Sequence, residues 1–228
     1  MNPYLNKLGA MLPLKIIGTQ FITHNVKQIT LEKPPGFIYR PGQSGHFSVN
    51  EEGWVDKIRP FTFTSLNDWP YLELIIKIYK EREGVTNRIG KLHIGEELLL
   101  HDVFGSIEYK GPGIFIAGGT GITPFIAIFR ALYYSQNLRS IGLIYSNRTI
   151  DDIILGQELF KMLGPAYVNV FTRQGVIGFK ERKIDRNLLI ELIVNFETRF
   201  YVCGPKNFTE EISSILIDLG VNPQALII

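Results

Sequence analysis

The strongest chemical signal in the chain is Gly118-Gly119-Thr120-Gly121-Ile122-Thr123-Pro124, entered from the apolar run 114–117 and leaving into Phe125-Ile126-Ala127-Ile128. The pattern predicts a buried strand, a glycine turn and a helix. The first N–H groups of such a helix have no intrahelical partner, and with the helix dipole they form an anion site. Glycine allows the tight turn and lets a pyrophosphate come close to the backbone. From Gly119 the spacing is G-x-G-x-x-P, not the dehydrogenase G-x-G-x-x-G, and Pro124 suits a first helical turn. Glycine turns also serve plain strand-to-helix connections, so this one alone does not prove a nucleotide site.

Three further groups could do chemistry. Cys203-Gly204-Pro205 follows the apolar run Phe200-Tyr201-Val202 and places the chain's one cysteine at a strand end; the bland reading is a small buried hydrophobe. Arg59-Pro60-Phe61-Thr62-Phe63-Thr64-Ser65 combines a cation, aromatic rings and hydroxyls in what we read as an apolar setting, and its alternation also suits any strand. Gly84-Val85-Thr86, reached through Ile76-Lys77-Ile78-Tyr79, opens a short helix as an anion nest with a Thr donor, though Gly-x-Thr is also a common N-cap.

The elements that must position these groups follow two grammars. From Leu14 to about Tyr109, short β-branched and aromatic runs (46–49, 61–64, 72–79, 97–100) alternate with turns such as Pro34-Pro35-Gly36 and Pro41-Gly42, which predicts an antiparallel barrel. After Gly111-Pro112-Gly113, strands at 114–117, 141–145, 167–172 and 200–203 alternate with helices from about 122, at 152–163, 186–195 and 207–219. That alternation predicts βαβ units and a parallel sheet whose ligands lie at the carboxyl ends of the strands, so Gly118 and Cys203 are expected on one crevice. The expected domains are 1–110 and 111–228.

Composition narrows the function. The chain has 228 residues, 45% apolar and 20% charged, with net charge +2, too little to argue for nucleic acid. One cysteine excludes a four-cysteine iron–sulfur cluster within the sequence, and the four histidines have no metal spacing. Met1 to Leu14 carries only a brief apolar stretch broken by Pro13, so neither a signal peptide nor a membrane span is expected, and a cytoplasmic location is.

Together these motifs resemble the ferredoxin–NADP reductase family of flavoproteins, in the family's order and over nearly the whole chain. The resemblance implies FAD on the barrel, with Arg59 on the cofactor pyrophosphate, Phe61 packed on the flavin in place of the usual tyrosine, and Thr62 near flavin N5. Pro60, Ile76, Lys77, Gly84, Val85 and Thr86 complete that implied site. It further implies NAD(P) on the second domain, with Gly118, Gly119, Thr120, Gly121, Thr123 and Pro124 around the pyrophosphate and Cys203, Gly204 and Pro205 against the nicotinamide. Thr62 and Cys203 carry the implied catalytic roles: hydride passes from NAD(P)H to the flavin, and electrons pass on, often singly.

An NAD-preferring dinucleotide fold usually offers an acid about twenty residues past the glycines. Here the second strand ends Tyr145-Ser146-Asn147-Arg148 and the third Phe171-Thr172-Arg173, which aligns with the Ser-Arg pair of NADP-specific relatives. Arg182 and Lys183 fall where those relatives place another cation, and Ile184 where they place a tyrosine. NADPH is therefore expected, with NADH possible; a solvated basic face is the alternative. Expected acceptors include ferredoxin, flavodoxin or an oxygenase component, in the last case as the reductase of a multicomponent complex; a flavin-binding regulatory module without turnover is the rival. The sequence ends Ala225-Leu226-Ile227-Ile228 with no aromatic to cover the flavin, so either a tail follows or the flavin face is open.

Overall fold

The computed structural model describes residues 11–105, 107–173 and 181–228. Most of the Met1 to Leu14 reading lies outside them. Among the described residues, no helix is long and apolar enough to cross a membrane. The chain divides into two compact units, Met1–Glu108 and Tyr109–Ile228.

The first unit is an antiparallel sheet of six strands: β1 (Leu12–Phe21), β2 (Val26–Glu32), β3 (Gln43–Val49), β4 (Arg59–Thr62), β5 (Tyr71–Lys77) and β6 (Glu97–Gly105), with the short helix α1 (Val85–Gly90) between β5 and β6. The strand order is β4-β3-β6-β1-β2-β5. The two end strands meet where the Thr64 N–H donates to the Glu73 carbonyl at 2.9 Å and Phe63 bridges Leu74, which curls the sheet into a barrel. Alternation decides the inside: Leu72, Leu74 and Ile76 of β5 face Leu98 and Leu100 of β6 in one core with Phe47 and Phe63. The expected strand 61–64 ends at Thr62, because the chain beyond it crosses from β3 to β5.

Helix α1 has only six residues, too short to persist without tertiary support. Lys27 of β2 supplies it: the buried ammonium donates to the carbonyls of Gly90 at 3.1 Å and Leu92 at 2.6 Å, at the helix's negative end.

A bulge between His46 and Phe47 leaves His101 facing the buried Ser48, with Nε2 2.8 Å from Oγ. Burial holds the His101 imidazole below its ordinary 6.5, opposed by the Asp102 carboxylate and reinforced by His46, with Asp56 opposing more weakly. The unfolded chain therefore binds a proton on acidification before the folded one does, and stability falls as pH drops below about 6.5 toward the folded value. The thermal midpoint of the wild type should fall more steeply between pH 7.5 and 5.5 than that of His101→Gln. Parallel curves would remove His101 as the cause.

The second unit is a five-stranded parallel sheet in the order β11-β10-β7-β8-β9. Its elements are β7 (Gly113–Gly118), α2 (Thr123–Tyr134), β8 (Ile141–Asn147), α3 (Gly156–Leu163), β9 (Tyr167–Phe171), α4 (Arg186–Leu192), β10 (Arg199–Cys203), α5 (Lys206–Asp218) and β11 (Leu226–Ile227). The fold class is the expected one: an antiparallel barrel-like sheet and a parallel α/β sheet. Helix α3 begins four residues later than the periodicity predicts. Thr149 and Asp152 cap each other around a 3₁₀ turn, and Ile153 is extended. Arg130, buried in α2, holds α3 by a two-pronged pair with Glu158 at 2.6 and 2.9 Å. Helix α4 ends at Leu192, before the expected 195.

Candidate functional site

In the second unit the site is built on the carboxyl edge of adjacent strands. β7 and β10 pair in parallel with Cys203 opposite Ala117, so Gly118 and Cys203 reach the same edge. The chain then turns through a 3₁₀ segment, Gly119–Ile122, into α2, with Pro124 in the first turn as expected. Gly119 has φ +54, a conformation that favours glycine, and open space where a Cβ would stand. At Gly121 a Cβ would lie 2.2 Å from the Cys203 carbonyl oxygen, so only glycine lets the turn rest on β10. The Thr123 hydroxyl donates to the Thr120 carbonyl at 3.0 Å. Pro205 caps α5, and the Phe208 ring of that helix lies against Gly118 and Gly204. Cys203 itself is partly exposed; burial pushes its thiol up to about 11, with the Gly204 N–H opposing, so it is a neutral thiol near pH 7. The sequence motifs 118–124 and 203–205 therefore form one continuous backbone surface.

At the neighbouring edge, the Thr172 N–H donates to the Asn147 carbonyl at 2.9 Å and the Arg173 N–H to the Arg148 carbonyl at 3.0 Å. The Arg182 N–H donates to the Phe171 carbonyl at 2.8 Å. Arg148, Thr172, Arg173 and Arg182 thus share one corner, and Arg148 and Arg173 are exposed there. The Arg182 guanidinium is paired with Glu191 of α4 at 2.7 Å. Ile184, at the position where NADP-specific relatives place a tyrosine, is buried in the core with Leu188 and Leu189.

On the barrel, Arg59, Pro60, Phe61 and Thr62 form β4. The apolar setting expected for Arg59 is overturned. β4 is an end strand, and the guanidinium is exposed, donating to the Ile58 carbonyl at 2.7 Å. Phe61 is half-buried, 6.2 Å from the Phe47 ring centroid. The Thr62 hydroxyl lies 3.0 Å from that of the buried Ser44, a partner that no spacing rule reveals. Ile76 and Val85 are core side chains, so only their backbones can meet a ligand, whereas Lys77 is half-exposed. Gly84 caps α1 with open space at its Cβ position, and no side chain caps that helix, so the half-exposed Thr86 is not used as a cap.

Residues 115–214 match the oxidoreductase NAD-binding domain family. Over 230 residues the chain is 31% identical to NADH–cytochrome b5 reductase 1 of Arabidopsis thaliana, covering 92% of this chain and 80% of that protein. The chain belongs to the ferredoxin–NADP reductase-like family of flavoproteins. It is an NAD(P)H-dependent flavin oxidoreductase, and the cofactors of the family are FAD and a nicotinamide nucleotide. It is also 28% identical to a nitrate reductase [NAD(P)H] of Betula pendula, where it matches 66% of this chain but spans only 20% of that longer protein. The fold is that of the FAD/NAD-binding domain of a nitric oxide dioxygenase from Vibrio cholerae, with TM-score 0.81 at 21% identity over 94% of this chain and 95% of that one.

The residues present fit both family cofactors. Phosphates need close, unobstructed backbone N–H groups, and the turns at Gly84 and Gly119 are open where a side chain would intrude. A flavin ring needs an aromatic face and a hydroxyl, and Phe61 and Thr62, successive on β4, are both half-exposed.

Proposed function

We propose that residues 1–110 hold FAD, that residues 111–228 hold the nicotinamide nucleotide, and that NADPH is preferred over NADH. The observation that carries the preference is the exposed Arg148 and Arg173 on one corner of the sheet edge, where an NAD-preferring site would place an acid. An arginine fork suits a phosphate dianion. The NADH reading is favoured by the printed function of the Arabidopsis relative and by the engagement of Arg182 with Glu191.

The bound flavin supplies hydride acceptance and one-electron release. The chain supplies binding and orientation. Arg59, with the N–H groups around Gly84 and Thr86, would hold the FAD pyrophosphate. Phe61 would pack on the flavin ring, and Thr62, beside Ser44, would offer it a hydroxyl. The turn 118–124 receives the nucleotide pyrophosphate, and Cys203-Gly204-Pro205 abut the nicotinamide. The acceptor we propose is a haem protein of the cytochrome b5 kind, rather than ferredoxin or flavodoxin, because the relative matched over most of both chains carries that name.

The deciding experiment is anaerobic titration of the purified flavoprotein with NADPH and with NADH, followed by mixing with cytochrome b5, ferredoxin and flavodoxin. Faster reduction by NADH, or transfer to ferredoxin alone, would overturn the corresponding part. Arg59→Ala should weaken flavin retention by about 1.5–3 kcal/mol, a charge-assisted contact, read as flavin content after dialysis. Unchanged content would return Arg59 to the role of a solvated edge-strand charge.

A further inference from the structure

Tyr145, on β8, is a fully buried phenol that the site as described does not use. Its hydroxyl donates to the Gly119 carbonyl at 3.0 Å, across from the adjoining strand. Burial pushes the phenol's pKa up, so the hydroxyl stays protonated and able to donate. One hydroxyl of β8 therefore ties the glycine turn to the adjoining strand.

The direction of that bond matters. Gly119 stands at φ +54, and rotation about its flanking peptides decides whether the turn presents carbonyls or N–H groups to the edge. Tyr145 holds the Gly119 carbonyl from below, and the Thr123 hydroxyl holds that of Thr120. With its carbonyl held by Tyr145, the Gly119–Thr120 peptide carries the Thr120 N–H, a first-turn donor of the 3₁₀ segment, on its opposite side, where it can meet an anion. We propose that Tyr145 is a positioning residue for nucleotide binding, locking the glycine turn in its anion-receiving form. The inference rests on the reading of 118–124 as the pyrophosphate site. Because NADP⁺ and NAD⁺ share a pyrophosphate, the effect must be the same for both, unlike that of any group reading the 2′-phosphate.

The test is equilibrium titration of the flavin-loaded Tyr145→Phe protein with NADP⁺ and with NAD⁺, followed by the flavin difference spectrum or calorimetry. Phe keeps the ring in the core, and flavin content and circular dichroism report that the fold is intact. Loss of one hydrogen bond should raise both dissociation constants roughly three- to tenfold. In turnover, KM should rise by a similar factor while kcat at saturation falls far less. A lower melting temperature with wild-type dissociation constants would make Tyr145 purely structural and overturn the proposal. A shift confined to NADP⁺ would overturn it as well. If the wild type bound neither nucleotide, the reading of the glycine turn itself would fail, a result distinct from both.

Discussion

Cys203→Ala should slow reduction of the bound flavin by saturating NADPH about 100-fold while leaving flavin content unchanged. The residue ends β10, and its carbonyl is in contact with Gly121, so its side chain issues from the point where the two nucleotide-side motifs meet. In the proposed complex the thiol is the wall that sets the distance of the reacting nicotinamide carbon, and a misplacement of about 1 Å costs about 100-fold. Burial pushes the thiol up to about 11, so the role is one of shape and soft contact, not of a nucleophile. The wild-type reduction rate should accordingly show no thiolate-dependent limb between pH 6 and 9. Cys203→Ser, nearly the same shape, should retain much more of the rate than the alanine variant. Stopped-flow spectroscopy at the flavin band reads all three, and a wild-type rate for Cys203→Ala would return the residue to the status of a core side chain.

Arg173→Ala should raise KM for NADPH about ten- to a hundredfold and leave KM for NADH nearly untouched. Removing one charge-assisted contact costs about 1.5–3 kcal/mol, and each 1.4 kcal/mol is about a decade. The contact binds ground state and transition state alike, so kcat should hold. Because Arg173 is exposed, added salt should weaken NADPH binding by the wild type and leave the variant less affected. Arg182→Ala should have a smaller effect, since Glu191 already neutralises that guanidinium. Equal wild-type efficiency with both nucleotides would defeat the phosphate assignment.

The features that local chemistry dictates could be read in the sequence. Gly118 to Pro124 declares a strand, a turn and a helix because glycine and proline restrict backbone geometry wherever they stand. The barrel and the α/β unit were legible from hydrophobic period alone. What escaped depended on contacts between distant residues. The solvent exposure of Arg59 follows from β4 being an end strand of the sheet, which its own seven-residue motif does not encode. The late start of α3 follows from the mutual cap of Thr149 and Asp152, which outcompetes an otherwise helical period. Ser44 beside Thr62, Tyr145 beneath Gly119 and Glu191 on Arg182 are pairings across 18, 26 and 9 positions, visible only once the sheets are assembled.

The contact between Gly121 and the Cys203 carbonyl has an evolutionary consequence. A backbone-on-backbone approach of that kind admits no side chain, so the turn can hardly vary without loss of the sheet edge. Arg148 and Arg173, by contrast, extend from that edge into solvent, where substitution carries little folding penalty. On the proposed assignment, descendants of this chain could drift between nicotinamide nucleotides through one or two surface changes, with the glycine turn inherited intact.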